Sequence, residues 1–357
     1  MCFRTRSSRV WPPLPAIAAP PAVRLPAEAS AQTGHPRRLP IKASCFIYAG
    51  MSFVKPGTRL TLVHISDFHI CRPAGSPARL FINKRFFSRM SWCLRRRHGH
   101  RPEVLSALIR AVRRIEADLV AVTGDLTQLA LPAEFKHART CLEELGPPGN
   151  VLVIPGNHDA LVAAAWEESF AHWADYMASD APGPDGRPVY PVSRVRGSVA
   201  VFGLTTAHPT RLFSAAGSLG SPQLERLAAR LDEAGAAQAC RVLLIHHPPL
   251  KRAVSPHKRL TDADAFRSVI AAHGAELILH GHCHLRSRAS LPGPSGATPI
   301  FGVASASSAG GPPERRAGFR VFRISGAPGA WQITVQDHAG PVADGDGDFQ
   351  AGPEIPV

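Results

Sequence analysis

From residue 60 onward, short runs of β-branched and aliphatic residues alternate with stretches in which apolar positions recur every three or four residues. The first kind reads as strand and the second as amphipathic helix, and their alternation predicts an α/β fold. The strand candidates are 61–67, 118–125, 150–159, 198–206, 241–249, 276–284, 298–306, 319–325 and 331–337. The helical period marks 102–117, 132–145, 160–178, 221–234 and 262–273, with Pro222 and Asp262 in first-turn positions. Pro and Gly gather at 180–188, 292–296 and 310–313, which are expected to be loops. The final stretch, AGPVADGDGDFQAGPEIPV, follows neither period, so 338–357 is expected to be a flexible tail. Its DGDGD string resembles part of a calcium loop but lacks the Glu at the twelfth position and the flanking helices.

Residues 1–50 are rich in Pro, Ala and Arg and show no sustained period. Such a segment cannot bury enough apolar surface to offset its ordering entropy, so a disordered basic extension is expected. Met51 opens MSFVKPGTRLTLVHISD, which reads as a natural start running into the first strand; a transit peptide is the competing reading of 1–50.

Of the 357 residues, 45% are hydrophobic and 19% charged, ordinary for a globular chain. No apolar run approaches the roughly 18 to 20 residues of a membrane-spanning helix. The net charge of +14 is concentrated. Arg4, Arg6, Arg9, Arg24, Arg37, Arg38 and Lys42 face only Glu28 in the extension, and 72–101 is dense in Lys and Arg without one Asp or Glu. The seven cysteines are odd in number and lack a CxxC pair, which favours a reducing compartment over a disulfide framework and places the chain in the cytoplasm.

The chemistry lies where the strand candidates end. The first ends in Asp67-Phe68-His69, the second in Gly124-Asp125 and the third in Gly156-Asn157-His158-Asp159; later ones end in His246-His247-Pro248 and Gly281-His282-Cys283-His284. Ligands of α/β sheets bind at carboxyl ends of strands, so the five sets are expected to converge on one edge. Carboxylates and neutral imidazoles bind divalent first-row metals, and Asp-x-His and His-x-His spacings let alternate side chains point the same way. A carboxylate such as Asp125 can bridge two cations about 3.5 to 4 Å apart, an arrangement suited to hydrolysis at phosphorus.

In this order, DFH, GD, GNHD, HHP and GHCH resemble the motif set of the calcineurin-like metallophosphoesterases over roughly residues 60–310, with the bacterial cyclic-nucleotide phosphodiesterase-like branch most similar. The resemblance implies a four-layer α/β/β/α sandwich with two mixed β-sheets, spanning 58–337. It implies two divalent metal ions, manganese, iron, zinc or cobalt. Asp67, His69 and His284 would bind one, Asn157, His246 and His282 the other, and Asp125 would bridge; His246 rather than His247 follows from the family's His-x-Pro pattern. His158 would contact the phosphate and protonate the leaving oxygen, with Asp159 orienting it. The implied substrate is a small phosphomonoester or phosphodiester, first among them a cyclic nucleotide.

The insert at 79–101 interleaves its basic residues with Phe81, Phe86, Phe87, Met90, Trp92 and Leu94. Phe86, Met90 and Leu94 share one helical face. The readings left open are a cap helix packed on the sandwich with its basic face solvated, or a segment that makes a peripheral contact with an anionic membrane, as a pyrophosphatase of nucleotide-linked lipids would need, docks a nucleotide or guides a polyphosphate into the site. Nucleic acid is disfavoured because no recognition module accompanies the charge. A non-catalytic scaffold should have lost metal ligands, and none is missing. His64, His257, His273 and His280 are expected to be surface or packing histidines, His280 being close enough to GHCH to support it from behind.

Overall fold

The computed structural model describes residues 58–96, 99–181, 183–327, 329–340 and 348–357; the basic extension 1–50 and the start at Met51 lie outside them. Twelve strands and five α-helices are formed among the described residues. The strands are β1 (Thr58–Ile65), β2 (Leu119–Val122), β3 (Val151–Val153), β4 (Val192–Arg196), β5 (Val199–Gly203), β6 (Cys240–Ile245), β7 (Leu277–His280), β8 (Ser287–Gly293), β9 (Gly296–Gly302), β10 (Gly318–Ala327), β11 (Ala330–Ala339) and β12 (Gln350–Pro356). The helices are α1 (Lys84–Ser91), α2 (Pro102–Arg113), α3 (Pro132–Leu145), α4 (Ser221–Ala236) and α5 (Ala263–His273).

Two mixed six-stranded sheets result, in the orders β12-β11-β10-β1-β2-β3 and β4-β5-β6-β7-β9-β8. The parallel strands β1, β2 and β3 lie side by side in one sheet, and β5, β6, β7 and β9 in the other. Strand periodicity decides which residues face which layer. In β1, Leu60 and Leu62 point between the sheets, where they meet Val242, Leu244, Leu279 and Phe301; Val63 and Ile65 point the other way, onto α2 and α3. The opposite face of the second sheet packs Ala200, Phe202, Leu243 and Ile245 against Leu227 and Leu231 of α4 and Phe266 and Ile270 of α5. Three apolar layers separate four layers of secondary structure, which is the α/β/β/α sandwich expected from the sequence.

Three segments depart from the sequence expectation, and one expected loop proves to be a hairpin turn. Residues 160–178 carry a helical pattern but fold as short 3₁₀ turns, Trp166–Glu168 and Phe170–Trp173. Tertiary bonds decide this: the Trp173 indole donates to Phe135 O at 3.0 Å, the Tyr176 hydroxyl to Gly146 O at 3.0 Å, and Val153 N to Tyr176 O at 3.0 Å. The expected loop at 292–296 is the turn of the β8–β9 hairpin. Strand β4, bordering the expected loop at 180–188, pairs with β5. The tail, expected to be flexible, places 350–356 as the edge strand β12 on β11, with Ile355 opposite Val335 and Glu354 bonded to Arg323 at 2.8 Å. Its alternation is weak because both faces of this edge are largely exposed, so the pattern could not announce it.

The basic insert forms α1 and a following π-turn, Trp92–Arg96, and its orientation inverts the cap-helix reading. The cations hold it to the protein: Arg85 is buried and donates from Nε to Leu129 O at 2.8 Å and from Nη2 to Ala130 O at 2.6 Å. Lys84 donates to Thr210 Oγ1 and Ser214 O, each at 2.6 Å. The apolar face looks outward, with Phe86 50% and Leu94 73% exposed. Phe87 touches Phe213, ring centroids 5.4 Å apart, so the patch extends onto the 212–213 loop.

Candidate metal centre

The loops after β1 and β2 zip together where the two parallel strands end. Asp67 N donates to Gly124 O at 2.9 Å, His69 N to Asp125 O at 3.0 Å and Ile70 N to Leu126 O at 2.9 Å. The segment after β9 closes the third side through Ala306 N to Ser66 O at 2.9 Å and Ser305 Oγ to Asp67 O at 2.6 Å. This lattice fixes an unusual backbone: Asp67, His69, Asp125, His282 and His284 all have positive φ, between 47° and 67°. L-residues adopt that region rarely and at a cost, and its concentration on five motif residues points to a functional constraint. Gly156 permits a close approach, since a Cβ there would collide with Asp125 Oδ1 and lie 2.7 Å from His246 Cε1.

The seven expected ligands and His158 meet in one place. His69 Nε2 lies 2.8 Å from His284 Nε2, and Asp67 Oδ1 lies 3.1 Å from His284 Nε2 and 3.6 Å from His69 Nε2. Asp125 Oδ2 is 3.3 Å from His246 Nε2, which is 3.2 Å from Asn157 Oδ1. Ligand atoms of Asp125, His246 and His282 lie within 4.8 Å of one another, as do those of His69, Asp125 and His158. Asp67 Oδ1 and His282 Nε2 are buried without a hydrogen bond among the described residues. Acceptors this crowded repel one another, and a pair of cations is the natural counterpart of the donor set.

Hydrogen bonds separate the two adjacent histidines. His246 Nδ1 donates to Thr123 O at 2.6 Å, so Nε2, facing Asp125 and Asn157, is the nitrogen that presents a lone pair once the ring is neutral. His247 donates from Nε2 to Ala215 O at 3.0 Å and accepts at Nδ1 from Thr206 Oγ1 at 2.7 Å, so its two nitrogens serve the fold.

Electrostatics agree with an anionic trap. Burial works against the Asp125 carboxylate, yet the surrounding imidazoles of His246 and His158 hold its pKa well below the usual carboxylate range. Burial likewise opposes a charge on His246, but the Asp125 carboxylate prevails and raises it to about 9. His247 is pushed down to about 3 by burial and by the neighbouring His246. His280, buried behind the site, is lowered to about 4, and buried His64 is held neutral as it bonds Thr123 Oγ1 at 2.9 Å. These two are packing histidines, interior ones; His257 is exposed and His273 half-buried.

The role expected for Asp159 is corrected. Its carboxylate accepts from Thr127 N at 2.8 Å, Thr127 Oγ1 at 2.9 Å and Gly156 N at 2.9 Å, holding the loop, while the His158 ring donates from Nδ1 to Gln128 O at 2.8 Å. Burial and the Asp125 charge raise Asp159 to about 7. One neighbour escaped the sequence reading altogether: His100, from the end of the basic insert, lies with its ring centroid 4.8 Å from His69 and 5.5 Å from His284. No spacing rule links it to the motifs; only its position just before the Pro102 helix start stands out.

The sequence model of calcineurin-like phosphoesterases matches residues 60–286. A probable cyclic nucleotide phosphodiesterase of Synechococcus is 29% identical over 236 residues, 64% of this chain and 80% of that protein. Among solved structures, a dimetal phosphatase from Danio rerio is similar with a TM-score of 0.55 at 15% identity, covering 82% of this chain and 98% of the other. A purple acid phosphatase from yellow lupin, Lupinus luteus, gives 0.52 at 12% identity, covering 84% and 53%. No described helix is long and apolar enough to cross a membrane. With its sandwich, its ordered motifs and its imidazole and carboxylate clusters, the chain belongs to the calcineurin-like phosphoesterase family and is a metal-dependent phosphoester hydrolase.

Proposed function

We propose that this enzyme holds two divalent ions and hydrolyses a small phosphodiester, a cyclic nucleotide being the favoured type. The observation that carries the reading is the convergence of seven ligating side chains from five strand ends, three of them with orphaned buried atoms. Asp67, His69 and His284 would hold one ion, Asn157, His246 and His282 the other, and Asp125, which belongs to clusters on both sides, would bridge them. Bound there, such ions polarise a phosphoryl oxygen and lower the pKa of water. Manganese, iron, zinc and cobalt all suit this donor set.

His158 stands on the open side, half-buried, with its ring perpendicular to that of His69 and the centroids 4.9 Å apart. Because Nδ1–H is committed to Gln128 O, protonation occurs at Nε2, which can then donate to the leaving oxygen. The backbone N–H of His158 donates to Asp125 Oδ1 at 2.7 Å, tying the acid to the bridge. The similarity to the Synechococcus protein supports a phosphodiester over a monoester.

The purified chain, loaded in turn with each metal, is expected to hydrolyse bis(p-nitrophenyl) phosphate and cyclic nucleotides. Asp125→Ala should abolish turnover, and His158→Ala should lower kcat by roughly 10²- to 10⁴-fold. Full activity in either folded, metal-loaded variant contradicts the assignment.

The outward apolar face of α1 favours a second reading, in which a pyrophosphate of a nucleotide-linked lipid is cleaved at a membrane surface. Co-sedimentation of the full chain with anionic vesicles, lost on replacing Phe86, Met90 and Leu94 by Ser, supports it; a chain that stays in the supernatant rules it out.

A further inference from the structure

The basic insert ends beside the metal centre. Its last residues are sewn to the segment after β9: Arg101 N donates to Ser307 O and Ala309 N to Gly99 O, each at 2.9 Å. His100, between them, is half-buried, and Trp92 stacks on its ring at 5.8 Å and 24°. One ligand atom each of His69, His100 and His284 lies within 4.8 Å of the others.

The serines beside His100 engage one of its two ring nitrogens. Its Nδ1 lies 2.8 Å from Ser307 Oγ and 3.3 Å from Ser305 Oγ. Ser305 spends its hydroxyl proton on Asp67 O at 2.6 Å, so toward His100 it presents only a lone pair. Ser307 Oγ can accept from Nδ1–H, and in that tautomer Nε2 carries the lone pair. An imidazole held through one ring nitrogen by oriented hydroxyl groups is the usual preparation of a metal ligand at the other.

We propose that His100 is a further ligand to the ion held by Asp67, His69 and His284, an imidazole that the five motifs do not supply. This rests on the binuclear centre proposed above. With the Asp125 bridge, that ion gains a fifth protein donor and a coordination shell of three imidazoles and two carboxylates. A shell richer in nitrogen favours the later first-row metals, and it leaves fewer positions open at this ion than at its partner. Ser305 and Ser307 become positioning residues, and the Ser305 bond to the Asp67 carbonyl couples the orientation of two ligands. The insert thereby contributes to the centre as well as to the surface.

The test is cobalt binding to the metal-stripped full-length chain, followed by calorimetry and by the visible spectrum of bound Co²⁺, alongside thermal unfolding of the metal-free proteins. Wild type should take up two ions. His100→Ala should bind one as before and the other about 10- to 100-fold more weakly, with a changed visible band. His100→Asp, which restores a ligating side chain but not the imidazole, should recover most of that affinity and guards against a mere folding defect in the alanine variant. Two unchanged affinities and an unchanged spectrum in His100→Ala overturn the inference while leaving the centre intact, even if turnover falls through loss of a substrate contact. A wild-type chain that binds no cobalt overturns the centre itself.

Discussion

Single residues at this centre hold conformations and charges that an isolated chain would avoid. Five candidate ligands sit in left-handed backbone, a cost of order 1–3 kcal/mol each that the zipped loops sustain. Gly156→Ala should break this arrangement, because the new methyl group would displace the Asp125 carboxylate; loss of cobalt uptake in a variant that still folds checks it. The His246 proton, held to about pH 9 by Asp125, must leave before an ion can bind. Metal uptake should therefore release a proton and tighten with rising pH up to about 9, and calorimetry in buffers of different ionisation enthalpy reads that release directly. Away from the centre, Glu134 is buried and accepts from Leu129 N at 2.7 Å and from Leu131 N and Arg72 N at 3.2 Å, yet burial raises it to about 7. Between its unfolded value near 4.3 and 7, the folded state keeps a proton that the unfolded chain has released. Stability should fall as pH rises through that window, by up to ~3 kcal/mol, and level off above it. Denaturant titrations of Glu134→Gln should show a shallower slope, the part due to the raised Asp159 persisting; an identical slope in both proteins would refute the account.

At the level of elements, strand alternation was legible and helix orientation was not. Leu60 and Leu62 against Val63 and Ile65 is a period-two pattern that assigns its own two faces. Helix α1 has an equally clear apolar stripe, but the pattern says only that Phe86, Met90 and Leu94 lie together, not that they face water. Carbonyl groups of Leu129 and Ala130, far along the chain, capture Arg85 and turn the stripe outward. Replacing those three apolar residues by Ser should change unfolding free energy by less than about 1 kcal/mol, since surface side chains contribute little, whereas Arg85→Ala should cost more by stripping donors from two buried carbonyls. Residues 160–178 fail in the opposite direction, a good helix pattern overridden by bonds of Trp173 and Tyr176 to other elements.

For the whole molecule, the metal centre joins both sheets, since β1, β2 and β3 supply ligands from one and β6 and β7 from the other. Ions bound there should act as a clamp across the sandwich. Removing them with a chelator is expected to lower the unfolding free energy by RT ln(1 + [L]/Kd), about 4 kcal/mol at a thousandfold excess over Kd, and a concentration-independent melting temperature would argue against it. The sequence by itself announced most of the strands and helices and the motif residues that gather at the strand ends, because a parallel strand ends locally and its last side chains are the ones that reach a ligand. The tertiary structure alone decided which of His246 and His247 faces the site, that Asp159 holds a loop, that 350–356 pairs at an edge, and that His100 stands beside His69 and His284. Each of these depends on a hydrogen-bond partner or neighbour distant along the chain, and such partners leave no period in the residues they select.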